Sequence, residues 1–502
     1  MSEETNIIKQ KKPRIPGKRT LITVSLSPFD TIEIKEEIIH KIADIAHELN
    51  VNLFLVGGYI RDYFLKKKRK DLDFTVIGDS IAFARELAIR FKTKAVIFER
   101  FRTAQLNIGE FQCEFVGTRK EIYNPESRKP DVVEGTLDDD IRRRDFTINS
   151  MASSLSKDNF GKLIDIFNGR RDLESRLLKT PLDPITTFND DPLRMLRAAR
   201  FASQLDFRID EQAINAIKRI TNRIEIISQE RISDEFLKII NSEKPSIGLK
   251  ILFETGLLDI IFPELNRLAG IEIVHNGNAE FAHKDIFLHS LQVIDKVAEN
   301  SKNIWLRFAA LVHDIAKPNT KRFNKDTGWT FHGHEEIGAK MMEKIFRKFK
   351  FPLENLPYVE KLVRLHQRPM ALVDDGVTDS AVRRLAFHAG DALQDLFTLC
   401  RSDITTKNPN LSSQYLQNYD KVTQKVIEVQ EKDKLREFQS PVRGEEIMSV
   451  CKLKPSKAVG YIKNAIEEAI LDGIIPNEYL AARKFFIRNK SQWLKKIKEM
   501  KE

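Results

Sequence analysis

What most constrains the fold of this 502-residue chain is where its strand patterns stop. Clear strand signals lie before about residue 160, and helical spacing takes over beyond it. Residues 51–56 (VNLFLV) form an apolar run closed by Gly57-Gly58, as a buried strand would be. Residues 71–77 (DLDFTVI) alternate polar and apolar and read as a second strand, and 94–98 and 104–117 as further ones. Ahead of them Ile34, Ile38, Ile39, Ile42, Ile45, Ala46 and Leu49 recur at helical spacing and predict an amphipathic helix over 32–49, with a shorter helix over 59–66. The pattern predicts an α+β chain, a small α/β head followed by an all-helical body. At roughly 100–200 residues per domain, the length allows about three or four domains. The expected segments are a basic flexible arm over 1–25, holding Pro13 and Pro16, the head over 26–155 and a helical neck over 156–270. A histidine-bearing domain over 271–410 and a C-terminal helical region over 411–502 with a basic tail complete the series.

Hydrophobic residues make up 41% and charged residues 31%, and 32 Phe can supply several cores, which excludes disorder as the main state. No apolar run is long enough to span a bilayer, and the Met1-Ser-Glu-Glu start has no signal-peptide stretch. Cys113, Cys400 and Cys451 are odd in number and far apart, which argues against a disulfide scaffold or a cysteine zinc site and fits a reducing cytoplasm. The net charge of +10 sits at the ends: residues 1–20 carry +4, residues 483–502 carry +6, and the rest balances. Such ends are either solvated tails or arms that add affinity for a polyanion such as RNA.

The chemistry is concentrated in short motifs. Gly57-Gly58 after a strand lets the backbone approach a phosphate, and the helix start that follows points N–H groups at it. Arg61-Asp62 follows, then Asp71-Leu72-Asp73. Asp71 and Asp73 lie two apart on a strand, so both carboxylates face one side and can hold two Mg²⁺ ions for phosphoryl transfer. Glu114, on a later strand, is either a third carboxylate or a surface residue.

The run from Leu55 to Val76 resembles the nucleotidyltransferase head of class II CCA-adding enzymes and bacterial poly(A) polymerases. Four further motifs follow in that family's order. They are Arg143-Arg144-Asp145, then Asp165…Gly169…Asp172, then Asp190-Asp191-Pro192-Leu193-Arg194, then Glu230-Arg231 with Glu235. Asp190 stands where the family usually has Glu. The resemblance covers roughly residues 30–240. It implies that Asp71 and Asp73 are catalytic metal ligands, and that Gly57, Gly58, Arg61 and Arg144 bind nucleotide. Asp62 would orient Arg61.

In the next segment, Asp190 or Asp191 with Pro192 reads as a helix start. Arg194, Arg197 and Arg200 then line one face at three-residue steps, as a nucleotide-binding stripe or a solvated one. The family makes Asp191 and Arg194 a protein template for the incoming base. Cytosine and adenine both present an amino donor beside a ring-nitrogen acceptor, which a carboxylate and a guanidinium match. Uracil and guanine present the opposite polarity and would leave both groups unpaired. The charged loop over 118–142 looks full length, which in this family favours complete CCA addition.

Seven of the ten histidines fall between 275 and 366. His289, His313-Asp314, His332, His334, His366 and Asp403 resemble the HD phosphohydrolase pattern, so the 271–410 domain is expected to be an HD domain. His289, His313, Asp314 and Asp403 are the expected ligands of a second, transition metal. Residues 443–475 resemble the final helical segment of bacterial nucleotidyltransferases with an HD domain, where a tRNA surface could lie.

The expected function is template-independent addition of C, C and A to tRNA 3′ ends from CTP and ATP, with Mg²⁺ as cofactor and no membrane partner. The alternatives are poly(A) or A-only addition, or an HD metal phosphohydrolase with a degraded head. A non-catalytic RNA-binding protein is disfavoured by the intact motifs.

Overall fold

The computed structural model describes residues 31–122, 131–270, 273–276, 279–282, 285–326, 328–373, 378–406, 408–433 and 440–499. The expected basic arm, part of the 118–142 loop and the last residues of the basic tail lie outside the described residues. The chain divides into two compact units, Met1–Thr118 with Met151–Ile166, and Arg119–Ser150 with Phe167–Glu502.

The first unit runs α1 (Glu37–Glu48), β1 (Asn52–Val56), α2 (Gly58–Phe64), β2 (Asp71–Ile77), α3 (Ser80–Arg90), β3 (Ala95–Phe98), β4 (Thr103–Ile108) and β5 (Phe111–Gly117). Its sheet has the order β3-β4-β5-β2-β1 and is extended by Ala152–Ser154 and Leu163–Ile164. Only β2 and β5 are paired in parallel. Leu72, Phe74 and Val76 of β2 join Cys113 and Phe115 of β5 in one core, with Phe74 and Phe115 stacked at 4.8 Å. Ile39 and Ile42 of α1 and Phe83 and Leu87 of α3 share that core. The single run expected over 104–117 is a hairpin that turns at Gly109, whose φ of +60° favours glycine.

In the second unit, helix Leu193–Leu205 packs on helices Gln229–Ile240 and Pro245–Glu254. Gly248 permits the close approach: a Cβ there would lie 2.7 Å from Ile239 Cγ2 and 3.0 Å from Ala199 O. Helices Ile286–Asn300, Ile304–Val312, His334–Phe349, Leu356–Leu365 and Leu393–Asp403 form the histidine-bearing part. Arg307 is fully buried there and donates to the carbonyls of Ser301, Ile240, Ser242 and Ala298 at 2.9–3.2 Å, serving the C-terminal ends of two helices. Helices Gly444–Cys451, Lys457–Leu471 and Tyr479–Glu499 close on Ile447, Ile462, Ile466 and Phe486. Short strand pairs do occur in this unit, at 177–178 with 208–209, 273–276 with 279–282, and 322–324 with 328–330. Among the described residues no helix is long and apolar enough to cross a membrane.

Candidate active site

The β2–β5 register aligns Asp73 with Glu114 and Leu72 with Cys113. Because neighbours in register share a face, the apolar residues go to the core while Asp71, Asp73 and Glu114 share the other side. Glu114 is thus beside the Asp-x-Asp pair. An oxygen-only donor set of this kind suits a hard divalent ion. Gly57 has φ +70°, which glycine adopts without strain. Asp62 accepts from Arg61 Nε and Nη2 at 2.8 and 2.9 Å, so it orients the buried Arg61.

In the second unit, helix Pro184–Asp190 ends at Asp190, and Leu193 opens the next helix. The expected start is therefore shifted: Pro192 precedes the helix, and Asp191 Oδ1 accepts from Leu193 N at 3.2 Å. Asp191 Oδ2 accepts from Arg231 Nη2 at 3.1 Å, and Arg200 Nε lies 3.0 Å from Glu235 Oε2. The Glu230-Arg231…Glu235 motif thus braces Asp191 and helix Leu193–Leu205 through two ion pairs. Arg194 donates to Thr187 O at 3.1 Å and to Arg143 O. Arg197 Nε donates to Asp145 Oδ2 at 2.7 Å. Burial alone would raise Asp145, but the Arg197 and Arg194 charges and the Asn149 amide hold it down at about 2. Asp140 is fully buried and takes Arg143 Nε at 2.9 Å and Arg144 Nη2 at 3.1 Å. Those two guanidiniums outweigh burial and hold it at about 2. Arg197 and Arg200 are therefore engaged with protein carboxylates, and Asp140, Asp145, Arg231 and Glu235 join the residues around helix Leu193–Leu205.

The histidines converge as well. Ligand atoms of His289, His313 and Asp403 lie within 4.8 Å of one another, as do ligand atoms of Asp314, His334 and His366. His289 Nε2 is 2.7 Å from Asp403 Oδ1, and Asp314 has Oδ2 3.3 Å from His313 Nε2 and Oδ1 3.2 Å from His334 Nε2. Nδ1 of His313, His334 and His366 lies 2.7–2.8 Å from the carbonyls of Ala310, Phe331 and Val363. A carbonyl only accepts, so each Nδ1 carries a proton and each Nε2 turns inward. His313 Nε2 and Asp314 Oδ1 are buried with no hydrogen-bond partner, which a metal ion would remedy. Burial lowers His313, but Asp314 and Asp403 push it up to about 10, while burial and the His313 charge push His366 down to about 4. A cavity of about 380 Å³ beside this cluster is lined by His289, Lys317, Asp403, Thr405 and Tyr419, among others. His334 and His366 complete the cluster that the sequence marked with His289, His313, Asp314 and Asp403; His332 is exposed.

The sheet with its carboxylate face and the helical unit with its His-Asp cluster define a nucleotidyltransferase head joined to an HD domain. Residues 53–179 match the poly(A) polymerase head domain, 206–268 the "probable RNA and SrmB-binding site of polymerase A", and 286–387 the HD domain. The A-adding tRNA nucleotidyltransferase of Deinococcus radiodurans is 28% identical, over 83% of this chain and 90% of that protein. The multifunctional CCA protein of Thioalkalivibrio sulfidiphilus is 30% identical, over 70% of this chain and 84% of that protein. The Thermotoga maritima CCA-adding enzyme, solved with tRNA, has the same fold, with a TM-score of 0.54 at 18% identity over 91% of this chain and 98% of that one. The chain belongs to the tRNA nucleotidyltransferase family that includes the CCA-adding and A-adding enzymes and carries a C-terminal HD domain. Membership implies a divalent metal of the Mg²⁺ kind.

Proposed function

We propose that the chain adds C, C and A to the 3′ end of tRNA from CTP and ATP, releasing pyrophosphate. The observation that carries this reading is the single face bearing Asp71, Asp73 and Glu114. Asp71 and Asp73 would hold two Mg²⁺ ions, with Glu114 as a third carboxylate, and Mg²⁺ there supplies charge neutralisation for the attacking and leaving oxygens. Gly57 and Gly58 present backbone to the triphosphate, with Arg61 held toward it by Asp62. Arg144 meets the sugar or phosphate.

Asp191 accepts the exocyclic amino group of cytosine or adenine, and Arg194 donates to the adjacent ring nitrogen. Arg194 has five N–H donors, and protein carbonyls take only part of them. Arg197 and Arg200 fix the helix through Asp145 and Glu235, so they serve nucleotide selection by position.

The second reading concerns the number of nucleotides added. Similarity over 90% of the Deinococcus enzyme favours A-only addition. Transcripts ending before the first C, after the second C, or complete, incubated with each nucleotide in turn, separate the two. CCA addition extends the first with CTP then ATP. A-only addition leaves it unextended and adds one A to the second.

For the HD cluster we propose a transition metal held by His289, His313, Asp314 and Asp403, with His334 and His366 on the other side of Asp314. Imidazole and carboxylate donors suit such an ion, which would supply a Lewis acid for phosphoester hydrolysis. A phosphate left on a damaged tRNA end is the substrate class. Its removal frees the 3′-OH that the head requires.

A further inference from the structure

The guanidinium of Arg69 covers Gly58. A Cβ built on that glycine would meet Arg69 Nη1 at 1.7 Å and Cζ at 2.5 Å. Arg69 returns to this place because the chain reverses after α2, with Lys66 at φ 55° and Lys67 N donating to Asp62 O at 2.9 Å. Arg69 Nη1 then donates to Asp62 Oδ2 at 3.1 Å, and its Nε lies 3.8 Å from Asp71 Oδ2.

Asp62 already has a complete partner in Arg61, which grips both of its oxygens. The second guanidinium is surplus to that pair. Arg69 also approaches Asp71, at 3.8 Å, so its guanidinium lies between the two carboxylates above Gly58. Arg69 is also the more accessible arginine, with its side chain 26% exposed against 9% for Arg61. A partly exposed cation beside a phosphate cradle, 3.8 Å from a carboxylate proposed as a metal ligand, suits an anionic ligand.

We propose that Arg69 is a further triphosphate-binding residue. Its guanidinium, beside Gly58 and paired with Asp62 and Asp71, would donate to the phosphates of the incoming nucleoside triphosphate. The inference rests on the reading of Asp71 as a metal ligand. It also gives Gly58 a second reason to lack a side chain, since any Cβ would displace Arg69.

The test uses the full chain with tRNA lacking its terminal A. ATP kinetics are measured for wild type, Arg69→Ala and Arg69→Lys, with pyrophosphate and adenosine monophosphate as inhibitors. Arg69→Ala raises KM for ATP about tenfold, the loss of one charge-assisted phosphate contact, with kcat changed less than about twofold. Inhibition by pyrophosphate weakens in step, and inhibition by the monophosphate stays as in wild type. Arg69→Lys, which keeps a point charge, restores most of the affinity. The proposal is overturned if KM for ATP is unchanged, or if ATP and the monophosphate weaken equally. A lower melting temperature with reduced kcat at unchanged KM would likewise reduce Arg69 to a structural ion pair. Asp71→Asn is the control. If it retains transfer, the reading of the site fails. If it is inactive and Arg69→Ala behaves as wild type, only the role of Arg69 fails.

Discussion

Asp191 is pulled two ways: Oδ1 accepts from Leu193 N and Oδ2 from Arg231. The contact to the helix start and the proposed base-reading role thus share one carboxylate, and substitution separates them. Asp191→Ala is expected to weaken discrimination against UTP and GTP more than it weakens triphosphate binding, read as kcat/KM ratios for the four nucleotides. Unchanged ratios would leave Asp191 as a cap alone. Asp145 supports a different prediction. Its pKa is lowered from 3.8 to about 2, so its contribution to stability is fully present above the unfolded pKa and is lost as pH falls from about 4 toward 2. Asp145→Asn should flatten that acid limb in a pH series of denaturant melts, and an unchanged limb would contradict the Arg197 pairing. At this scale the sequence pointed to candidate residues but not to their partners. Motif spacing marked Asp71, Asp73, Asp191 and Arg194. The pairings Asp145–Arg197, Glu235–Arg200 and Asp73–Glu114 join distant segments, and no local periodicity reports them.

Among the elements, long apolar periods were legible and short or diluted ones were not. The strand at Asp71–Ile77 stands where its alternation predicts, and the helix expected over 32–49 is Glu37–Glu48. Helix Ser80–Arg90 went unread because Arg85, Glu86 and Arg90 dilute its stripe. Its signal was Asp79, whose side chain accepts from Ile81 N and Ala82 N. The strand at 152–154 is too short to show a period, yet it pairs with β1. Two substitutions probe how elements hold helix Leu193–Leu205 and its neighbours. Gly248→Ala should cost about 1–3 kcal/mol by overpacking against Ile239 and the Ala199 carbonyl. Arg307→Met should cost about 3–5 kcal/mol, since buried carbonyls at two helix ends lose their donor. Urea melts followed by circular dichroism measure both, and a change under about 0.5 kcal/mol in either would contradict the packing described.

For the molecule as a whole, the proposed function puts two chemistries on two units, oxygen ligands in the head and imidazole ligands in the HD domain. His313→Ala with Asp314→Ala should abolish metal-dependent phosphoester hydrolysis, remove bound transition metal by elemental analysis, and leave nucleotide addition to clean tRNA unchanged. Collapse of nucleotide addition in a well-folded double variant would contradict this division. The central claim is that the Asp71–Asp73 face carries nucleotide transfer. The most direct measurement is extension of tRNA lacking CCA by Asp71→Asn and Asp73→Asn in Mg²⁺, with tRNA affinity and melting temperature recorded on the same preparations. The account predicts no extension by either variant, with affinity and melting close to wild type. Near-normal extension by either one would contradict it.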